Sequence, residues 1–201
     1  YCVDKTELAA QGKIDPIVGR DREVRQVSEI LGRRSKPNVI IIGDPGVGKT
    51  ALVDGFALNI NEGNVPTHLK GARLFELDLG ALVAGASYKG EVEDRIKKVV
   101  NAVKSFDKAI LFIDEIHALM DENRGLSGCA NLLKPELARG ELTVIGATTN
   151  DEYREFLEGE EAFMRRFEIV RVEEPTDDVC QKMLETVVPF YEQHHSLKVE
   201  N

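Results

Sequence analysis

Residues 39–50 read Val39-Ile40-Ile41-Ile42-Gly43-Asp44-Pro45-Gly46-Val47-Gly48-Lys49-Thr50, and they give the clearest indication of the fold class. Its first four residues are apolar and β-branched, which is typical of a short buried strand. The next eight match the pattern Gly-x-x-x-x-Gly-Lys-Ser/Thr without a mismatch. A helical pattern over residues 51–60 follows. The order of strand, glycine-rich loop and helix predicts a loop that binds phosphates through its backbone N–H groups.

The residue types in this loop suit a nucleoside triphosphate. Glycine lets the backbone turn its N–H groups inward around phosphate oxygens. Lys49 can neutralise the β and γ phosphates, and the hydroxyl of Thr50 can hold Mg²⁺. We therefore expect ATP or ADP to bind here with Mg²⁺, in contact with Asp44, Pro45, Gly46, Val47, Gly48, Lys49, Thr50 and Ala51.

A second apolar run, Ala109–Ile113, ends in two adjacent carboxylates, Asp114 and Glu115. Asp114 can join Thr50 in the Mg²⁺ shell, and Glu115 can orient and polarise the attacking water. Two acids at a strand end are often only solvated side chains. Their place downstream of a phosphate loop favours the catalytic interpretation.

Another strand candidate, residues 143–147, is followed by Thr148, Thr149 and Asn150. We expect Asn150 to sense the γ-phosphate or to position the water, because a polar side chain there lies beside the first two strand ends. An asparagine after a strand is commonly a turn residue. The prediction for Asn150 therefore depends on the other two motifs.

Five short apolar runs predict strands, with helical patterns between them. The strands are expected at Val39–Ile42, 74–78, Ala109–Ile113, 143–147 and 169–172. Apolar residues that share one face predict helices at Asp21–Leu31 and Glu91–Lys104. Strands that alternate with helices indicate a parallel sheet covered on both faces. We predict an α/β P-loop NTPase fold, a three-layer sandwich around a five-stranded parallel sheet.

Composition narrows the function classes. The 201 residues carry a net charge of −9 and are 42% hydrophobic, which is a globular balance without the basic surface that nucleic acids require. The longest apolar runs are too short to cross a bilayer. The chain starts without Met or a basic leader, so we expect no signal peptide and a start that is not the natural one. Three scattered cysteines predict neither a zinc site nor a disulfide scaffold, and they favour the cytoplasm.

The four histidines suggest no metal site. His117 follows the two carboxylates and is expected to pack or to form hydrogen bonds behind them, while His194 and His195 would diverge on any regular element.

Beyond these motifs, longer stretches resemble the first ATPase domain of the Clp-type AAA+ chaperones, the group of ClpB, ClpA, ClpC and the secretion-system relative ClpV. The resemblance runs over almost the whole chain. It rests on residues 12–21 (GKIDPIVGRD), 85–95 (GASYKGEVEDR), 131–142 (NLLKPELARGEL) and 163–167 (FMRRF).

The resemblance implies roles that the core motifs do not. Residues 12–21, with Val18 and Gly19, would enclose the adenine. Tyr88, Lys89 and Gly90 are similar to a pore loop whose aromatic residue grips a threaded polypeptide, although Tyr88 alone would pass for an ordinary half-buried tyrosine. Arg165 and Arg166 are similar to arginine fingers that act on the neighbouring subunit's γ-phosphate, although arginine pairs are also common on surfaces.

The chain also departs from the family pattern. Residues 121–129 are a couple of residues shorter than in ClpB, and the second pore loop is altered. We expect an AAA+ domain at residues 1–175 and, at 176–201, the truncated start of a small helical lid. The family's second sensor arginine would lie beyond it. The isolated chain is therefore expected to be mainly monomeric and a poor ATPase.

The resemblance implies ATP hydrolysis that drives unfolding, disaggregation or remodelling of polypeptides threaded through a hexameric ring. A secretion-system ATPase that recycles a contractile sheath and a AAA+ nucleic-acid motor stay open as alternatives. The acidic charge and Tyr88 favour polypeptide substrates, without nucleic acid or membrane. A GTPase is disfavoured because the chain contains no Asn-Lys pair, and hence no guanine-reading Asn-Lys-x-Asp. The sequence does not choose among the Clp subtypes.

Overall fold

The computed structural model describes residues 1–88, 90–124, 126 and 128–199. These residues form one sheet in the spatial order β1-β3-β4-β5-β2-β6. Its strands are β1 (Cys2–Asp4), β2 (Val39–Ile42), β3 (Arg73–Leu77), β4 (Ala109–Ile113), β5 (Thr143–Thr148) and β6 (Glu168–Arg171).

Strands β2 to β6 are parallel, as predicted, and their bounds differ from the predicted ones by at most one residue. The prediction of a five-stranded sheet was incomplete, because β1 adds a sixth, antiparallel strand at the edge, with Cys2 opposite Leu77. A three-residue strand has no readable alternation of its own. It forms because β3 offers it an unpaired edge.

Nine α-helices lie among the described residues, and four of them have six residues or fewer. Their bounds are α1 Lys5–Ala10, α2 Asp21–Leu31, α3 Lys49–Glu62, α4 Leu79–Val83, α5 Glu91–Lys104, α6 Cys129–Arg139, α7 Asn150–Glu152, α8 Glu161–Met164 and α9 Asp177–His195. Single 3-10 turns occur at Thr67–Leu69, Ile116–Leu119 and Glu122–Arg124, and a π-helical turn at Tyr153–Leu157. Helices α2 and α5 have the bounds that the apolar periodicity predicts.

The core consists of two apolar clusters, one on each face of the sheet. Successive side chains of a strand point to opposite faces, so Ile40 and Ile42 enter the cluster with α5 and α6 while Val39 and Ile41 enter the cluster with α2 and α3. Phe112 on β4 is fully buried. Truncating such a side chain to alanine lowers the free energy of unfolding by about 3–5 kcal/mol. Each cluster lies between the sheet and the helices on one of its faces, so helices, sheet and helices form the predicted three layers.

The edge strand β1 and helix α1 are held by three ion pairs. The ammonium of Lys5 is almost buried and lies 2.7 Å from the Asp54 carboxylate and 2.9 Å from that of Glu76. Burial acts to lower the pKa of Lys5, but hydrogen bonds to these two carboxylates outweigh it and raise the pKa. Arg73 pairs with Asp4 beside them. The charges therefore anchor the start of the chain to α3 and β3.

Parallel strands bring their carboxyl ends to the same edge of the sheet. Strands β4, β5 and β2 are neighbours, so the loops after them start side by side. These are the loops that carry the predicted phosphate-binding residues, the paired carboxylates and Asn150.

Candidate nucleotide site

The phosphate loop connects β2 to α3 in a conformation that glycine allows. Gly46 and Gly48 have φ angles of 82° and 93°, in the left-handed region that other residues enter only with strain. Gly48 is the N-cap of α3, so the helix begins at Lys49. The loop therefore presents backbone N–H groups at a helix N-terminus, the arrangement that binds phosphate.

Lys49 is fixed over this loop. Its ammonium donates hydrogen bonds to the carbonyl oxygens of Gly43, at 2.8 Å, and Asp44, at 2.9 Å. Burial lowers the pKa of Lys49, against the opposing pull of the Asp114, Glu152 and Asp44 carboxylates. The side chain is thus held at the place where a chain of phosphates would follow the loop.

The two predicted Mg²⁺ ligands lie together. The hydroxyl of Thr50, on α3, donates to Oδ2 of Asp114, at the end of β4, over 3.1 Å. The other oxygen of Asp114 accepts a hydrogen bond from the Glu115 N–H at 2.9 Å, which orients the carboxylate. Mg²⁺ is bound by one or two protein oxygens, water and substrate phosphates. A hydroxyl and a carboxylate beside a phosphate loop fit that requirement.

Glu115 has a strained backbone. Its φ and ψ angles are 49° and 44°, and the left-handed conformation costs a non-glycine residue about 1–2 kcal/mol. Such strain is concentrated at functional sites, where it aims a side chain. Oε2 of Glu115 accepts a hydrogen bond from Arg124 Nη1 at 2.9 Å. The sequence offered no signal for Arg124. Because both side chains are largely exposed, the pair itself contributes little stability.

Asn150 is joined to the phosphate loop. Its side-chain amide donates to Oδ1 of Asp44 over 2.7 Å, and its Oδ1 lies 3.4 Å from Nη1 of Arg171, at the end of β6. The turn is ordered by a capping box in which Thr149 and Glu152 exchange hydrogen bonds. The pattern Thr-x-x-Glu signals such a box, so Glu152 was recognisable in the sequence but was not singled out.

A cavity of about 590 Å³ lies beside the phosphate loop. Its walls are Pro16, Ile17, Val18, Arg20, Pro45, Gly46, Val47, Gly48, Ala51, Glu174, Pro175, Asp177, Cys180, Met183 and Val187. The size and the mostly apolar walls are typical of a small-molecule site and suit a purine base. Val18 is on the wall, as expected. Gly19 lies behind it, where a Cβ would collide with Val179 of α9.

Arg20 is a buried cation that the sequence reasoning assigned no role. It is 5% exposed, and its guanidinium donates to the carbonyl oxygens of Val47, at 2.5 Å, and Glu173, at 3.0 Å. It also pairs with Glu23 of α2 at 3.2 Å. Arg20 therefore ties the phosphate loop to α2 and to the segment that leads into α9.

Arg165 and Arg166 lie at the other end of the sheet. They directly precede β6, and the register of β6 places Glu168 opposite Val39, the first residue of β2. The phosphate loop follows the last residue of β2. Arg165 is exposed, whereas the carbonyl of Arg166 accepts a 3.1 Å hydrogen bond from the buried side chain of Asn38. The structure thus separates this pair from the phosphate loop of its own chain.

Tyr88 is 61% exposed and lies in the loop between α4 and α5, after β3. The next residue, Lys89, is outside the described residues, and Gly90 is the N-cap of α5. Glu91 accepts a 2.7 Å hydrogen bond from the Ser87 N–H and pairs with Arg95 at 2.6 Å. Arg95 also donates to the carbonyls of Leu82 and Ala84. The base of the loop is therefore clamped while its aromatic residue is exposed.

The described part of the chain contains neither a membrane-spanning helix nor a metal-binding cluster of side chains. No helix there is long and apolar enough to cross a bilayer. No group of three or more His, Cys, Asp and Glu side chains could hold a metal ion there.

The chain is similar to known ATPases, as the arrangement of this site predicts. The model of the AAA family, "ATPase family associated with various cellular activities", matches residues 39–173. The chaperone protein ClpB of Bacteroides thetaiotaomicron is 50% identical over 100% of this chain, which spans 24% of that relative. This chain thus covers about a quarter of the length of such relatives.

Solved structures give the same result. A complex of Saccharomyces cerevisiae Hsp104 with ADP matches 100% of this chain with a TM-score of 0.92 at 48% identity, over 28% of that chain. The extended Hsp104–casein complex of the same organism matches 100% of this chain with a TM-score of 0.90 at 48% identity, over 34% of that chain. From the phosphate loop, the paired carboxylates and these matches, we conclude that the chain belongs to the AAA family of ATPases, on its Clp-type branch.

Proposed function

We propose that this chain binds ATP with Mg²⁺, hydrolyses it, and uses the energy to move a polypeptide through a ring of identical subunits. One observation carries the first half of the proposal. Three loops, after β2, β4 and β5, are joined to one another through the Thr50–Asp114 and Asn150–Asp44 hydrogen bonds. Triphosphate hydrolysis needs these groups around one γ-phosphate.

The residues divide the work of hydrolysis. The loop N–H groups and Lys49 bind the phosphates, and the cavity beside Val18 and Met183 receives the base. Glu115 orients and polarises the attacking water as the general base. Asn150 positions the water or the γ-phosphate for in-line attack. The arrangement is fixed before the reaction, so little reorganisation is needed when charge develops.

Thr50 and Asp114 would hold the Mg²⁺. When bound there, the ion would supply positive charge that offsets charge developing on the phosphates. The protein's part is to keep one hydroxyl and one carboxylate adjacent, which the 3.1 Å contact achieves.

Arg165 and Arg166 complete the site of a neighbouring subunit in this proposal. They lie at the amino end of β2, whereas the phosphates of the same chain would lie at its carboxyl end. An arginine supplied in trans stabilises transition-state charge and is worth about 10³–10⁵ in rate. Hydrolysis therefore depends on assembly, and a single chain is expected to turn over slowly.

Tyr88 is proposed to contact the polypeptide, with Lys89 and Gly90 beside it. An aromatic ring grips chains of any sequence, and Tyr88 is exposed on a clamped loop. ClpB is named a chaperone, and one of the similar Hsp104 structures is a complex with casein, a polypeptide.

Helix α9, which borders the cavity, is proposed as the start of the lid that follows a domain of residues 1–175. The cytoplasm suits the free thiols of Cys2, Cys129 and Cys180.

The test uses Glu115→Gln in the protein that carries this chain. The change keeps the shape of the side chain and removes its charge, so nucleotide affinity should stay within about threefold while turnover falls by at least about 100-fold. Asp151→Asn, an exposed acid near Asn150, is the control and should leave both unchanged. Turnover that survives in Glu115→Gln would overturn the catalytic assignment.

Stimulation of the wild-type ATPase identifies the partner. An unfolded polypeptide should raise the rate, and single-stranded or duplex DNA should not. Stimulation by DNA alone would favour a nucleic-acid motor and would overturn the polypeptide proposal. Preference for GTP over ATP would overturn the ATP assignment itself.

A further inference from the structure

His117 is a buried polar side chain between the loops that follow β4 and β5. It belongs to the 3-10 turn Ile116–Leu119, which starts directly after Glu115, and its side chain is 1% exposed. The Ala118 N–H donates to the carbonyl of Glu115 over 2.8 Å, so the ring belongs to the same turn as the catalytic carboxylate. A buried imidazole costs free energy unless it is hydrogen-bonded.

The ring has partners on the neighbouring loop. Its Nδ1 lies 3.0 Å from Oγ1 of Thr148 and 3.3 Å from Oε2 of Glu152. One face stacks on Phe156 with ring centroids 5.8 Å apart. Within the described part of the chain, Nε2 is buried and has no hydrogen-bond partner.

These contacts decide which nitrogen carries the proton. A carboxylate carries only lone pairs, so Glu152 attracts Nδ1 only when Nδ1 bears the proton, which it then donates to the Thr148 hydroxyl. Nε2 is then an unprotonated nitrogen, which costs less to bury without a partner than an N–H group would. Burial also lowers the pKa of His117, against the opposing Glu152 carboxylate, and this favours the neutral ring.

Glu152 links the ring to Asn150. The carboxylate of Glu152 accepts hydrogen bonds from the Thr149 N–H, at 3.2 Å, and from the Thr149 hydroxyl, at 2.8 Å. These bonds belong to the capping box that orders the first turn of α7, and Asn150 is the first residue of that helix. A shift of the Glu152 carboxylate would therefore shift the amide that bonds to Asp44 in the phosphate loop.

We propose that His117 is a positioning residue, which sets the spacing between Glu115 and Asn150 through its Nδ1–H, which is hydrogen-bonded to Thr148 and faces the Glu152 carboxylate. The imidazole ring keeps a fixed distance between the turn that carries Glu115 and the turn that carries Asn150. Its effect on turnover rests on the proposed function of the site. The position of the proton on Nδ1 and the contact with Glu152 do not depend on the proposed function.

Three substitutions separate the hydrogen bond from the bulk of the ring. His117→Asn keeps an amide N–H near the position of Nδ1, His117→Gln moves it to the position of Nε2, and His117→Leu removes it. In the protein that carries this chain, kcat should stay within about threefold for His117→Asn and fall about 10–100-fold for the other two, the usual range when a supporting hydrogen bond of a site is lost. The KM for ATP should change little in all three.

A matched control keeps the hydrogen bond and weakens the packing. Phe156→Leu should lower the melting temperature and leave kcat within about threefold, since the change weakens the packing of this half-buried ring on His117 without removing a hydrogen bond. Equal losses of kcat in His117→Asn and His117→Gln, or losses that follow the melting temperature across all four variants, would overturn the proposal.

A second measurement needs no variant and no hydrolysis. The ¹⁵N shifts of labelled histidine should show the proton of His117 on Nδ1 in the wild-type protein. A proton on Nε2 would leave a lone pair of Nδ1 facing the Glu152 carboxylate and would overturn the proposal. If the wild-type protein turned over no ATP while the proton was on Nδ1, the proposed function would fail and the His117–Glu152 link would stand.

Discussion

The nucleotide site and the Tyr88 loop both follow the carboxyl ends of strands, yet the two are held in different ways. At the nucleotide site, side chains from loops after three strands bond to one another, as Thr50 does to Asp114 and Asn150 to Asp44. At the Tyr88 loop, the bonds lie at its base, where Glu91 and Arg95 hold backbone groups, and the aromatic ring is mostly exposed.

The difference reflects two physical demands. Transition-state stabilisation needs donors and charges fixed in place before the reaction, so the loops of the nucleotide site must be joined to one another. A residue that grips an incoming chain must be accessible, and it can transmit movement only if its loop is tied to a rigid element. The loop is fixed to α5 at its base and Tyr88 is exposed at its tip, which is the arrangement that the proposed contact with a polypeptide requires.

The largest effect should come from removing the cation of the nucleotide site. Lys49→Ala deletes charge-assisted hydrogen bonds to phosphate, and we expect nucleotide affinity to fall by at least about 100-fold, which corresponds to about 3 kcal/mol. Isothermal titration with ADP and an ATP analogue measures it. The exposed Lys98→Ala on α5 is the control, with affinity unchanged. Wild-type affinity in Lys49→Ala would refute the assignment of the phosphate loop.

Removing the ring of Tyr88 should separate the two regions. In the protein that carries this chain, Tyr88→Ala should leave basal ATPase within about threefold and lower the processing of a folded or aggregated reporter at least about tenfold, as loss of an aromatic anchor does. The ratio of the two rates is the informative quantity. If processing continued at the normal rate, the ring would not be the grip.

Loosening the base of the loop should have a smaller effect. Glu91→Gln weakens the bonds to the Ser87 N–H and to Arg95, so amide exchange at Ser87 should rise about tenfold while reporter processing falls about threefold. Asp94→Asn removes a charge from the same helical turn, without those bonds, and is the matched control. Equal exchange at Ser87 in both variants would show that the clamp does not order the loop.

The smallest effect should come from the hydroxyl of Tyr88. Tyr88→Phe keeps the aromatic surface, and both ATPase and reporter processing should stay within about twofold of wild type. A loss as large as that of Tyr88→Ala would mean that the hydroxyl, and not the ring, makes the contact.

Much of the fold was predictable because it is encoded locally. The bounds of β2, β4, α2 and α5 follow from apolar periodicity, and the phosphate loop follows from its own glycines, lysine and threonine. The residues Asp114, Glu115 and Asn150 were found because parallel strands bring their carboxyl ends to one edge. The roles given to Tyr88, Arg165 and Arg166 came from the family resemblance and stay predictions.

The contacts between distant segments could not be predicted from the sequence, because they depend on how the chain packs in three dimensions. No local sequence pattern predicts four of these contacts. They are the antiparallel pairing of β1, the hydrogen bonds of Arg20 to Val47 and Glu173, the hydrogen bond of Asn38 to Arg166, and the contact of His117 with Glu152. Each depends on which strands are neighbours, and strand order is set by the packing of the whole sheet. By itself the sequence determined which chemical groups the site contains, whereas the order β4-β5-β2 decided which of them touch, because hydrogen bonds form only between groups that the sheet brings within about 3 Å.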